Sequence, residues 1–112
     1  MIETIVMEHL AAALDVPVWA EMPEHPPARF VLVEKTSDRE ENFIRYPMVV
    51  VQSYAESLFQ AAVLNELVED AMASLPTHPN VSRCKLNSSY NYTDTERKQH
   101  RYQAVFDIVF MR

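Results

Sequence analysis

His9, His25, His78 and His100 are the side chains best suited to binding a metal or moving a proton near neutral pH. No two of them stand at ligand spacing, and no cysteine or carboxylate pair completes a zinc pattern. They read as separate surface histidines. Cys84 is the only cysteine, and it alternates with charged Arg83 and Lys85. That alternation predicts a small apolar side chain facing the core rather than a nucleophile. The serines at 37, 53, 57, 74, 82, 88 and 89 sit in no nucleophile elbow, because that turn needs flanking glycines and the chain has none. A glycine-rich phosphate loop is excluded on the same ground. Asp38, Glu40 and Glu41, with Arg39 among them, form a charged cluster. Weak cation binding is conceivable there, but hard-cation loops need more ligands and usually a glycine turn, so a solvated loop fits better. No catalytic residue, metal or cofactor is expected.

Contact chemistry is better represented. Tyr90 and Tyr92 lie among Asn87, Ser88, Ser89, Asn91 and Thr93, and Tyr102 lies on the facing segment. Tyrosines among small polar residues suit a contact surface, where the ring buries area and the hydroxyl finds a partner. Cross-strand pairing at the flank of a sheet is the other reading, and both stay open. Phe59 and Val63 stand one helical turn apart and are expected to be exposed until a partner covers them. Arg97, Lys98, His100 and Arg101 make a short basic group that reads as a solvated hairpin loop. The candidate oligomer or partner contacts are therefore Phe59, Val63, Tyr90, Tyr92, Tyr102, Asp38, Arg39, Glu40, Glu41, Arg97 and Lys98.

Composition narrows the class. A chain of 112 residues with 48% hydrophobic content is one globular domain, residues 1–112, with a single core. A net charge of −6 argues against stable binding to nucleic acid or anionic membranes. One cysteine permits no intrachain disulfide, which suits a reducing compartment. Glu3, Glu8 and His9 interrupt any signal-peptide pattern, and no apolar run approaches the ~18 residues of a membrane span.

Periodicity then predicts the elements. Residues 2–14 read as a helix through Ile2, Ile5, Val6, Leu10 and Ala13, ended by Asp15 and Pro17. Residues 18–20 could form a short edge strand, and three prolines stiffen residues 22–28. Residues 29–36 are a strand, 37–42 a charged loop, and 43–54 a second extended stretch. Ser57 with Gln60 is a capping-box signature opening a helix over 57–75. Leu64, Leu67, Val68, Ala71, Met72 and Leu75 are its expected core face, with Asn65, Glu66, Glu69 and Asp70 opposite. Residues 81–92 and 100–111 read as an antiparallel pair joined by a polar connection at 93–99. In the last strand Tyr102, Ala104, Phe106, Ile108 and Phe110 should face the helices. The order is α-β-β-β-α-β-β, an α+β fold with one mostly antiparallel sheet and both helices on one face.

Four segments carry a resemblance. They are residues 29–36 (RFVLVEKT), Tyr46-Pro47 leading into 49–55 (VVVQSYA), Ala61-Ala62 with 64–71 (LNELVEDA), and 101–107 (RYQAVFD). In this order and spacing they resemble the tail terminator, or tail completion (minor tail), proteins of long-tailed bacteriophages and prophages. Family members often carry glycines after the first central strand and in the last hairpin; here 37–42 and 93–99 have none. The resemblance implies a non-catalytic virion protein, assembled in the host cytoplasm, that closes the head-proximal end of the tail tube. It implies a ring, commonly a hexamer, with the tail tube protein and the head-tail connector protein as partners and DNA passing through. A head-completion or connector protein of the same assembly is a neighbouring reading. A small homodimeric α+β enzyme or ligand-binding domain is the rival, with a site built from His100, Tyr90 and Glu34.

Overall fold

The computed structural model describes residues 1–111; Arg112 of the expected domain lies outside the described residues. Helix α1 spans Ile2–Ala13 and ends where Leu14 turns extended, three residues before Pro17. Its buried stripe is Ile2, Val6 and Leu10, while Ala13, expected in that stripe, is exposed. Strand β1 (Val18–Trp19) runs parallel to β2 (Phe30–Ser37), and β2 pairs antiparallel with β5 (Met48–Ala55). After helix α2 (Leu58–Ala73) and a 3-10 turn at Leu75–Thr77 come β6 (Val81–Asn91) and β7 (His100–Met111). Strand β7 pairs with β5 on one side and with β6 on the other. The fold is thus α+β, with two helices on one face of a mostly antiparallel seven-stranded sheet.

Residues 37–42 are not a plain loop. Strand β3 (Glu40–Glu41) and strand β4 (Ile44–Arg45) form a small hairpin, and β4 continues beside β7 at Phe110 and Met111. Its two-residue turn is Asn42-Phe43, both at positive φ (52° and 67°). That is the primed hairpin geometry whose twist matches the flanking strands. Glycine normally fills it; here a bulky Phe43 does, at a conformational cost.

The core lies between helices and sheet. Val31, Val33, Val49, Val51, Ala104, Phe106, Ile108 and Phe110 meet Val6, Leu10, Leu64, Val68 and Met72 there. Ser57 caps α2 as expected, its hydroxyl accepting the Gln60 N–H at 3.1 Å. The core face of α2 is rotated from the expected one. Leu67 is 51% exposed, and Asn65, expected outside, is 3% exposed. At roughly 100° per residue the stripe through Ala61, Leu64, Val68 and Met72 leaves Leu67 about 100° from Val68, and Asn65 nearer, at about 60°. Asn65 tolerates burial because its amide donates to Ser89 Oγ (2.8 Å) and Glu69 Oε2 (3.0 Å).

Strand β6 is an edge strand with mostly exposed side chains and two bulges, at Val81/Arg83 and Leu86/Ser88. Charges and bulges of this kind keep a long free edge from pairing indiscriminately.

Candidate assembly surface

The potentially reactive side chains do not converge. His9 Nε2 lies 2.7 Å from the Ala71 carbonyl oxygen and 3.0 Å from Ser74 Oγ, tying α1 to the end of α2. His78 Nδ1 accepts the Asn80 N–H, and His25 is exposed beside Glu24. Among the described residues no three His, Cys, Asp or Glu side chains group around a common point. His100 and Glu34 sit level with Ala55 and Val50 of β5, five residues apart and on opposite faces. With about 3.4 Å per residue and alternating faces, they cannot share a site with Tyr90.

Cys84 packs against the core, as its alternation predicted. Burial pushes its thiol from 9.0 up to about 12. It should label slowly with a disulfide reagent at pH 8 in the folded protein, and fast in denaturant. The folded thiol ionises later than the unfolded one, so its contribution is intact below pH 9 and lost as pH rises toward 12. Stoichiometric labelling of the native chain within seconds would overturn this placement.

The charged hairpin is internally neutralised. Asp38 takes Arg45 at 2.9 Å and Lys35 at 3.3 Å; Arg45 also reaches Glu40 at 3.3 Å. Arg39 pairs with Glu41 at 2.8 Å and lies 4.3 Å over the Tyr46 ring. These carboxylates hold the hairpin to its cations and leave no vacant anionic cage. In the other turn Asp94 Oδ1 accepts the N–H groups of Glu96 and Arg97, while Lys98 has φ 55°. The Arg97 and Lys98 side chains are exposed.

Tyr90 and Tyr92 stand on the sheet face away from the helices, edge to face at 6.0 Å. Tyr102 is separated from them: it pairs with Ser53 and turns to the helix side, half-buried. A network that the sequence reading missed crosses the open face. Arg101 donates to the Tyr54 hydroxyl (2.9 Å), which donates to Gln52 Oε1 (3.1 Å). Gln52 Nε2 donates to Gln103 Oε1 (2.8 Å), and Gln103 Nε2 donates to the Tyr90 hydroxyl. The guanidinium lies 4.5 Å over Tyr92 and 5.7 Å over Tyr54. The available signal was a glutamine at the middle of each of two apolar strands. Every donor in the chain points the same way, so the Tyr90 O–H is left to donate outward.

On the helix side Phe59 is 72% exposed. Val63 lines an open groove of about 640 Å³ with Leu64, Leu67, Leu14 and Pro17. The Arg29–Glu56 ion pair sits at its rim, and the Arg29 hydrogen bond holds the Glu56 carboxyl down to about 2. Phe59 and Val63, one turn apart, thus share one flank of α2, and Leu67 joins them. No helix among the described residues is long and apolar enough to cross a membrane.

No protein-family model matches the chain, and no curated protein does. A solved structure does: a chain of the "Virion of native gene transfer agent (GTA) particle", at TM-score 0.60 and 12% identity. The match covers 96% of this chain and 92% of that one. At that identity the likeness establishes the fold. The chain is a two-layer α+β domain of the architecture found in that virion chain.

Proposed function

We propose that this chain is a non-catalytic structural component of a phage-like particle, acting as a tail-terminator-type ring at the head-proximal end of a tail tube. The observation that carries this reading is the end-to-end fold likeness to a chain of a gene transfer agent virion. The four sequence segments that resemble tail terminators support it independently. So does a surface whose exposed features are aromatic and charged rather than convergent. The partners would be other copies of itself, the tail tube protein and the head-tail connector protein. An acidic chain lets DNA pass through such a ring without gripping it.

Light scattering after size exclusion, at about 0.15 M salt and rising protein concentration, is expected to show a closed ring, with six copies as the leading stoichiometry. Each copy carries −6, so copies repel over a Debye length, and about 0.15–0.5 M salt should favour the ring over much lower salt. Purified tail tubes should acquire one ring at one end. No duplex binding is expected at physiological salt, where a nonspecific DNA binder would show a Kd of about 10⁻⁴–10⁻⁶ M. A strict monomer that stays off tail tubes defeats the reading. Binding to isolated connectors but not to tubes would favour the head-completion role instead.

A further inference from the structure

The cations and anions of this chain are segregated. Residues 1–28 and 46–82 contain no Lys or Arg. Both helices fall in those segments, so neither contains a Lys or Arg, and α2 carries Glu66, Glu69 and Asp70 with no cation of its own. Phe59, Val63, Glu66 and Asp70 follow at steps of four, three and four residues, which places them along one outward line of α2. Leu67 flanks that line, half exposed. Glu69, on the side toward β6, has its carboxyl pushed up by burial and by the neighbouring Glu66 and Asp70. The negative charge on this helix is uncompensated within the chain.

The opposite side of the molecule is the reverse. Arg83 and Lys85 lie on the open face of the β6 edge, exposed, and among the described residues neither forms an ion pair. With Arg39, Tyr46 and Val109 they line a shallow hollow of about 470 Å³ in which Asp107 is the only carboxylate.

We propose that the acidic outer ridge of α2, Glu66 and Asp70 with Leu67 and Phe59, docks onto the Arg83–Lys85 hollow of a second copy of this chain. The proposal rests on the ring reading above and names the surfaces that would close the ring. Charge complementarity selects the occupant: the α2 ridge presents carboxylates and no cation of its own, the nearby Arg29 is taken by Glu56, and the hollow presents Arg83 and Lys85 without partners. Pairing helix face to helix face would set carboxylate against carboxylate. Complementary patches on opposite sides of one molecule can satisfy each other only head to tail, and a head-to-tail contact builds a ring when its rotation closes. Net repulsion between −6 copies acts at long range and is screened by salt; contact pairs partly removed from water are screened much less.

The test is a pair of charge reversals, E66K/D70K and R83E/K85E, in otherwise unaltered chains. All four side chains are exposed, so each variant should keep the wild-type circular dichroism and melting midpoint. Each variant alone should self-associate at least tenfold more weakly than wild type, because both of its docking faces then carry the same sign. An equimolar mixture should restore the ring, with the two variants alternating and only even copy numbers. Either variant assembling like wild type, or a mixture that stays monomeric, overturns the assignment while leaving the ring itself standing. A wild-type chain that never assembles defeats the ring reading and this contact with it. Duplex DNA retained by wild type and released by R83E/K85E would give the hollow to nucleic acid and overturn the proposal.

Discussion

Replacing Phe106 by alanine is expected to cost about 3–5 kcal/mol. Phe106 is 2% exposed and is the bulkiest of the fully buried side chains. It lies on β7, opposite Val49 of β5 and Leu86 of β6, at the centre of the sheet face that the helices cover. The neighbouring backbones are pinned by ladders on both sides, so the site cannot collapse around the void. A domain of this size has about 5–15 kcal/mol in all, so one such cavity removes much of it. Leu67→Ala should cost far less, about 0.5 kcal/mol, because its side chain is already half in water. A denaturant titration decides, read as a midpoint shift at constant slope. Equal losses from both substitutions would show that the core face of α2 is misassigned.

That contrast also shows what the sequence could reveal. Apolar residues at three- and four-residue steps located α2, and strict alternation placed Ala104, Phe106, Ile108 and Phe110 against the helices. Both signals are local, and each is set by the period of its element. The exact rotation of α2 is not local. Leu67 and Asn65 flank the same stripe, and hydropathy alone puts leucine inside. The outcome depends on Ser89 of β6, which offers Asn65 a hydrogen bond from 24 residues away. Nothing in the spacing around Asn65 contains that information. The hairpin at 40–45 was hidden for another reason. Its turn is Asn42-Phe43, and phenylalanine is a poor signal for positive φ.

The contact surface was legible only as residue types. Tyr90 and Tyr92 are exposed on one face together, while Tyr102, their apparent companion, faces the helices. Separating them requires the register of β6 on β7, and a bulge between Leu86 and Ser88 shifts that register by one residue. One such shift changes which face a side chain occupies. The charge segregation, by contrast, was present in the sequence as two long stretches without Lys or Arg. It acquired meaning only once the sheet placed Arg83 and Lys85 on the side away from the helices.

Arg101→Met should loosen the outer half of the β6–β7 hairpin. Methionine keeps an unbranched apolar stem and removes the guanidinium, which now lies between the Tyr54 and Tyr92 rings. The guanidinium donates to the Tyr54 hydroxyl at 2.9 Å and to the Tyr92 carbonyl at 2.6 Å. Hydrogen bonds from a charged donor contribute about 1.5–3 kcal/mol, and the ring contacts add about 0.5–1 kcal/mol. Arg101 is also the first donor of the line through Tyr54, Gln52 and Gln103 to Tyr90. Removing it depolarises the remaining bonds and frees Tyr90 to turn. Global stability should therefore fall by about 2–3 kcal/mol. Amide exchange should rise most at residues 90–101, around the turn that joins β6 to β7. Arg97→Met is the control: its side chain is exposed, and the loss should stay within about 0.5 kcal/mol. If exchange at 90–101 is the same in Arg101→Met as in the control, the stacked arginine does not hold the hairpin. The order of the tip would then come from the backbone ladder and the Asp94 turn alone.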